Sequence, residues 1–176
     1  FIIKEDIDWI QLIPCLDEGR KTSYTLTPKS YSSFFIKLFD LWYAEMKKGK
    51  QRSIGLFDDL VNLLQGYAPD QCGRLGKCSW QYVIEADGSV FPCDFYCTDE
   101  WRLGNIQEES MEALTDCSTR DFFLKRDEQE RDLCVRCRYR NICHGGCIRQ
   151  RNCYLSQKYC GHQQLLSHME HVLYGR

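Results

Sequence analysis

The sequence predicts an α+β fold in which helices dominate the first third and short elements around a hairpin carry the rest. Three observations predict it. Residues 7–13, Ile-Asp-Trp-Ile-Gln-Leu-Ile, form a short apolar run that ends at Pro14 and reads as a strand. Two stretches with helical apolar spacing follow it. From about Tyr67 onward the chain is rich in Cys, Gly and Arg and shows only short periodic segments. That change of composition divides the chain into 1–66 and 67–176.

Too few partner strands follow residues 7–13 to complete a sheet, so its sheet is expected to lie in preceding sequence. The opening Phe-Ile-Ile-Lys-Glu-Asp lacks an initiator Met and reads as a piece cut from a longer chain. Thr27 suits an N-cap, and Pro28 suits the first helical position, where its missing N–H costs nothing. Tyr31, Phe34, Phe35, Leu38, Leu41, Trp42 and Met46 then recur at helical spacing, a core-packing face, and Gly49 supplies a stop. A second helix is predicted over 54–64, with Phe57, Leu60, Val61 and Leu64 inward and Gly66 at its end. Residues 79–85 and 89–92 flank Asp87-Gly88, which predicts a hairpin with a two-residue type I′ loop. Short helices over 111–115 and 122–126 and a C-terminal helix over 163–174 complete the set.

At 176 residues the chain fits one ordinary domain, or a small domain plus part of another, with enough apolar and aromatic content for a core. A net charge of -2 points to neither a nucleic-acid nor a membrane partner. No apolar run approaches the length that spans a bilayer.

The cysteines constrain the chemistry most. Of 12, most lie after residue 71, and the tightest group, from Cys134 to Cys147, has the spacing C-x2-C-x5-C-x3-C. Clustered thiols with a C-x2-C pair favour metal or iron–sulfur over a disulfide framework. Cys72, Cys78 and Cys93 form a first set, one ligand short of four. Cys134, Cys137, Cys143 and Cys147, with Cys153 and Cys160 beyond, form a second. Eight thiolates complete two four-ligand clusters. Structural zinc also takes four cysteines, but a zinc ribbon pairs two C-x2-C knuckles and only one is present. Cys15, Cys97 and Cys117 lack partner spacing and are expected as packed or exposed thiols.

No Asp or Glu lies between Leu133 and Met169, whereas Arg136, Arg138, Arg140, Arg149, Arg151 and Lys158 do. Such cations would offset the negative charge of a cluster and raise its potential. A nucleic-acid-binding patch is the rival reading, weakened by the little aromatic interleaving there beyond Tyr139 and Tyr154. His144 is expected to be a polar loop residue, and His162, His168 and His171 receive no chemistry.

The series Cys72-x5-Cys78-x14-Cys93, then Cys134-x2-Cys137-x5-Cys143-x3-Cys147 and a later Cys160, resembles the SPASM domain. That domain is the C-terminal auxiliary-cluster module of many radical S-adenosylmethionine enzymes. Gly88 ahead of Cys93 fits its Gly-x4-Cys turn. The resemblance covers 67–176, and residues 1–66 look like the last strand and helices of the partial (β/α)6 barrel that precedes such a domain. Within the group, the tracts YVIEADGSVFPCDFYC, LGNI and IQLIPCLDEG resemble anaerobic sulfatase-maturating enzymes.

The resemblance implies a complete enzyme that oxidises a Cys or Ser of a sulfatase to formylglycine. It implies two auxiliary 4Fe-4S clusters here, one on Cys72, Cys78, Cys93 and Cys147, the other on Cys134, Cys137, Cys143 and Cys160, with Cys153 the rival for the last place. Asp94, directly after Cys93, takes the family's place of catalytic base, receiving the proton of the target thiol or hydroxyl as an electron leaves. The bland alternative for Asp94 is a turn cap. The chain contains no C-x3-C-x2-C motif. That motif, a third 4Fe-4S cluster and most of the S-adenosylmethionine site are expected in preceding sequence, and the segment alone is expected to be inactive. Implied partners are a sulfatase or other peptide substrate and an electron donor such as flavodoxin or ferredoxin, in the cytoplasm, with no nucleic acid and no membrane. A SPASM-type maturase of a ribosomal peptide and a non-catalytic zinc-binding module are the alternatives.

Overall fold

The computed structural model describes residues 1–16, 24–125 and 131–176, so Arg126 of the expected helix over 122–126 lies outside the described residues. The elements in order are β1 (Trp9–Ile10), α1 (Pro28–Lys47), β2 (Ser53–Ile54), α2 (Gly55–Leu64), β3 (Val83–Ile84), β4 (Ser89–Phe91), β5 (Gly104–Asn105), α3 (Met111–Thr115), α4 (Ser118–Lys125), α5 (Asp132–Val135), α6 (Arg140–Cys143), α7 (Arg151–Tyr154) and α8 (Gly161–Tyr174). They fall into two compact units. The larger joins Phe1–Gly76 to Glu130–Arg176, and the smaller is Lys77–Gln129. The change of composition near residue 66 lies inside the larger unit's first segment.

In the larger unit α1 begins where its capping chemistry predicts. The Thr27 hydroxyl accepts from the Ser30 amide at 3.1 Å, and the Ser30 hydroxyl accepts from the Thr27 amide at 2.9 Å. Tyr31, Phe35, Phe39 and Trp42 are buried, each three or four positions after the last. The predicted face was drawn too wide: Phe34 and Leu41 are 53% and 64% exposed, while Phe39, absent from it, is fully buried. Positions 34 and 41 lie on the helix flank, where Leu38 and Leu41 join Ile2, Ile3 and Ile10 in lining an apolar groove. Facing the buried stripe, α8 contributes Leu165, Leu166 and Met169, and α2 contributes Phe57, Leu60 and Leu63. Each fully buried side chain of this size stabilises by about 1.5–3 kcal/mol, which outweighs the ~1 kcal/mol of a good helix cap.

The strand expected over 7–13 is reduced to two residues, and it has a partner that the sequence did not reveal. β1 pairs in parallel with β2, Trp9 opposite Ser53 and Ile10 opposite Ile54, so β1-α1-β2 is a strand–helix–strand crossover. Arg52 secures the pair by donating from Nη1 to the Ile7 carbonyl at 2.6 Å and from Nη2 to Asp6 at 2.8 Å.

The smaller unit is a three-stranded antiparallel sheet ordered β3-β4-β5 with two short helices. The hairpin forms, but its loop differs from the prediction. Glu85 donates to the Ser89 carbonyl at 2.9 Å and Gly88 to the Glu85 carbonyl at 3.0 Å, leaving a three-residue loop over 86–88. Gly88 (φ 85°) is left-handed and Asp87 is not, whereas a type I′ loop needs both to be. Val90, Leu103 and Leu114 form the core, and Trp101 stacks on Phe122 at 5.6 Å. Among the described residues no helix is long and apolar enough to cross a membrane.

Candidate metal centre

Four-residue helices cannot hold themselves together, yet three of them carry or flank the second cysteine set in the larger unit. Cys134 lies within α5, Cys137 just beyond it, and Cys143 ends α6. The chain then reverses through three consecutive left-handed residues, His144 (φ 49°), Gly145 (φ 81°) and Gly146 (φ 70°), to reach Cys147. Cys160 is the N-cap of α8, and its Sγ accepts from the Gln163 amide at 3.4 Å.

Cys134, Cys137, Cys143 and Cys160 line a single cavity, walled on its apolar sides by Leu133, Tyr154, Leu155 and Leu166. Among the described residues Cys153 is not in that wall. It is buried in the helical core, its thiol directed at the Cys15 carbonyl at 3.8 Å. Burial pushes the Cys143 thiol above its ordinary pKa, with the Arg74 guanidinium pulling the other way. Burial also pushes Cys160 up to about 11, against the Gln163 amide. Thiolates bind metal, so a centre here must supply the charge that burial withholds. The amides at the start of α8 contribute part of it at Cys160. No disulfide joins any of the cysteines. Among the described residues no three His, Cys, Asp or Glu side chains gather around a point fit for one metal ion.

The first set is divided between the units. In the larger one, Cys72 opens a 3-10 turn through Arg74. A Cβ on Gly73 would lie 3.0 Å from the Cys147 amide nitrogen and 3.0 Å from its Cβ, so the two segments run in close contact here with no room to spare for a side chain. That contact puts Cys72 and Cys147 in adjoining stretches of backbone. In the smaller unit, Cys93 follows β4 and Asp94 opens the turn Asp94–Tyr96. The Asp94 side chain is exposed, and its Oδ1 accepts from the Cys93 thiol at 3.4 Å.

Two buried polar residues at this centre had no signal in the cysteine spacing. Arg74 is 4% exposed and His162 is 3% exposed. Arg74 Nη1 lies 3.1 Å from His162 Nδ1, and the Cys143 sulfur lies 3.7 Å from the same nitrogen. His162 Nε2 lies 2.8 Å from the Tyr31 hydroxyl, and the ring stacks on Tyr154 at 3.7 Å with 6° between planes. Of the cations the sequence singled out, Arg136, Arg138, Arg140 and Lys158 are exposed, with Arg138 paired to Glu170 at 2.6 Å, whereas Arg149 and Arg151 are half-buried and Arg151 Nε donates to the Gly145 carbonyl at 3.3 Å. His144 is exposed, and His168 pairs with Asp40 at 2.6 Å.

The SPASM family, described as an iron-sulfur cluster-binding domain, matches residues 72–138. The cysteine-type anaerobic sulfatase-maturating enzyme of Clostridium perfringens (strain 13 / Type A) is 40% identical over 153 residues, covering 85% of this chain and 41% of its own length. Over most of its length this chain is similar to the anaerobic sulfatase-maturating enzymes. The cysteine-type enzyme of Clostridium novyi (strain NT) is 39% identical over 155 residues, and the serine-type enzyme of Klebsiella pneumoniae is 25% identical over 161. A structure of native anSMEcpe with bound AdoMet superposes with a TM-score of 0.81 at 33% identity, over 99% of this chain and 50% of that one. The sulfatase-maturase relatives are longer: the chain spans about two-fifths of the first of them. The SPASM match takes in Cys72, Cys78, Cys93, Asp94, Cys134 and Cys137, and stops short of Cys143, Cys147 and Cys160.

Proposed function

We propose that this chain is the auxiliary-cluster part of a radical S-adenosylmethionine sulfatase maturase, holding two 4Fe-4S clusters and the base for the oxidation. The observation that carries the proposal is the convergence on one cavity of the Cys134–Cys137 pair, Cys143 at the end of α6 and Cys160 at the start of α8. A single zinc draws tetrahedral sulfurs to about 3.8 Å from one another, from Zn–S bonds of ~2.3 Å. Four thiols spread around the wall of one cavity suit the wider reach of a cluster. Cys72, Cys78, Cys93 and Cys147 would hold the other cluster, and the Gly73–Cys147 contact supports grouping Cys147 with Cys72. The β1-α1-β2 crossover supports reading the first segment as the end of a partial (β/α)6 barrel.

When bound, S-adenosylmethionine and a cluster held outside this chain supply hydrogen-atom abstraction from the target residue, and the auxiliary clusters supply one-electron carriage. This chain's part is acid–base and positional. Asp94, exposed and beside Cys93, accepts the proton of the target thiol or hydroxyl on Oδ as the carbonyl or thiocarbonyl product forms. The higher identity to cysteine-type than to serine-type relatives, 40% against 25%, favours a cysteine target in a sulfatase peptide. Flavodoxin or ferredoxin is the proposed electron donor.

Iron and acid-labile sulfide analysis of the anaerobically purified whole protein tests the cluster assignment. Content matching two four-iron clusters beyond the S-adenosylmethionine-binding one supports it, and zinc without sulfide overturns it. In the same protein Asp94→Asn should leave iron and sulfide unchanged and lower formylglycine formation by about 10²–10⁴-fold. Normal turnover by that variant removes Asp94 from the mechanism.

A further inference from the structure

Among the described residues the larger unit buries one cation at the proposed cluster site. The Arg74 guanidinium is 4% exposed and permanently charged. Its nearest carboxylate, Asp59, stands with Oδ2 at 3.7 Å from Nε, and neither atom has a hydrogen-bond partner among the described residues. A buried charge so loosely paired is costly, and the structure has nonetheless fixed its position from several sides. Arg74 can only donate, so His162 Nδ1 accepts from it and Nε2 carries the ring proton toward the Tyr31 hydroxyl. Stacking on Tyr154 sets the ring plane. A Cβ on Gly146 would fall 3.1 Å from Arg74 Nη1, so the glycine turn is shaped around the guanidinium as well. Cys143 Sγ and Arg74 Nη1 both lie against one imidazole nitrogen, at 3.7 Å and 3.1 Å.

We propose that Arg74, held by His162, is a positioning residue that gives the cluster on Cys134, Cys137, Cys143 and Cys160 its buried countercharge and raises its reduction potential. The proposal rests on the cluster reading above and adds the group that tunes it. Reduction adds an electron to a centre already negative, so a fixed cation beside Cys143 stabilises the reduced form more than the oxidised one. At equal distance a charge in an effective dielectric of ~20 acts about four times more strongly than one in water at ~80. At equal distance Arg74 therefore acts more strongly than the exposed Arg136, Arg138, Arg140 and Lys158, and the half-buried Arg151 adds a weaker pull of the same sign on Cys143.

The test is an EPR-monitored redox titration of the whole protein loaded anaerobically with iron and sulfide. The relevant wave is the one that survives Cys93→Ser and does not respond to AdoMet. Arg74→Met should keep its iron and move that wave negative by at least tenfold in the reduction equilibrium, about 59 mV for one electron. Arg74→Lys should retain most of the wild-type position. A loaded Arg74→Met protein with an unmoved wave overturns the proposal. Should that variant fail to fold, Asp59→Asn decides. It keeps an oxygen for the Asp70 amide, now 2.8 Å from Oδ1, but removes the opposing charge, so the wave should move positive. No shift in Asp59→Asn overturns the proposal equally. Failure of the unsubstituted protein to bind iron and sulfide would instead overturn the cluster reading itself.

Discussion

Between Pro28 and Lys47 the chain forms a 20-residue helix that buries Tyr31, Phe35, Phe39 and Trp42 against two other helices. Between Asp132 and Tyr154, in the same compact unit, it forms three helices of four residues each, with a left-handed turn after the second. The first region is held by apolar area, which survives local changes because many contacts share the work. The second is too short in every element to sustain itself. It leans on the helices through Tyr139, Cys143 and Tyr154, on the buried Arg74–His162 pair, and on the proposed cluster. Metal affinity in such a region is also folding free energy. The difference separates scaffold from site: one half of the unit is legible as hydrophobic pattern, the other as donor chemistry.

The hardest blow to that division is Phe39→Ala. Phe39 is fully buried and meets Trp42, Tyr43, Phe57 and His168 through ring contacts. Its removal should cost about 3–5 kcal/mol. Because the cysteine turns rest on this core, urea should unfold helix and site together, with the far-UV signal and the iron–sulfur absorbance moving to one lower midpoint. A site that kept its absorbance while the helices melted would mean that the turns stand independently of the scaffold.

Gly146→Ala acts from the other side. A left-handed φ of 70° costs a non-glycine residue about 1–2 kcal/mol, and the added Cβ would crowd the Tyr154 ring at 2.9 Å from Cζ as well as Arg74. The expected result is a loss of roughly 2 kcal/mol confined to the cysteine turns. Iron and sulfide retention should fall, and the midpoint of the helical signal should move less than for Phe39→Ala. Equal retention in the variant and the parent would show that this turn is not shaped around its neighbours as drawn.

What the sequence disclosed follows the same line. Thr27, Pro28 and Gly49 mark the limits of α1 because capping is local chemistry, and thiol spacing singled out Cys134, Cys137, Cys143 and Cys147 as donors, whereas the grouping of the first three with Cys160 came only from the family resemblance. β2 and β5 were not legible, since two residues cannot display alternation. The hairpin was legible, but not the third residue of its loop, which depends on whether Asp87 turns left-handed. Helical spacing alone does not separate the buried Phe39 from the exposed Phe34 and Leu41, which only the placement of α2 and α8 decides. Arg74 and His162 stayed hidden for a stronger reason. They are 88 positions apart, and their partners Tyr31, Cys143 and Tyr154 come from three further places in the chain. No local pattern encodes such a meeting.

The mildest of these perturbations is the sharpest test of the scaffold's redundancy. Thr27→Ala removes one half of a reciprocal cap, the hydroxyl that accepts from the Ser30 amide at 3.1 Å, and leaves the Ser30 hydroxyl still able to accept from the residue 27 amide. Replacing a threonine cap by alanine costs typically ~1 kcal/mol, against several times that amount from the buried face of α1. The helix should therefore fray at Pro28 without losing its packing on α8. Amide exchange should quicken within the first turn of α1, near Tyr31 and Ser32, and stay unchanged near Trp42. Iron and sulfide content should match the parent. If the site instead lost metal, the start of α1 would be part of the support for His162, through Tyr31, whose hydroxyl lies 2.8 Å from that ring. The border between scaffold and site would then run through the helix itself.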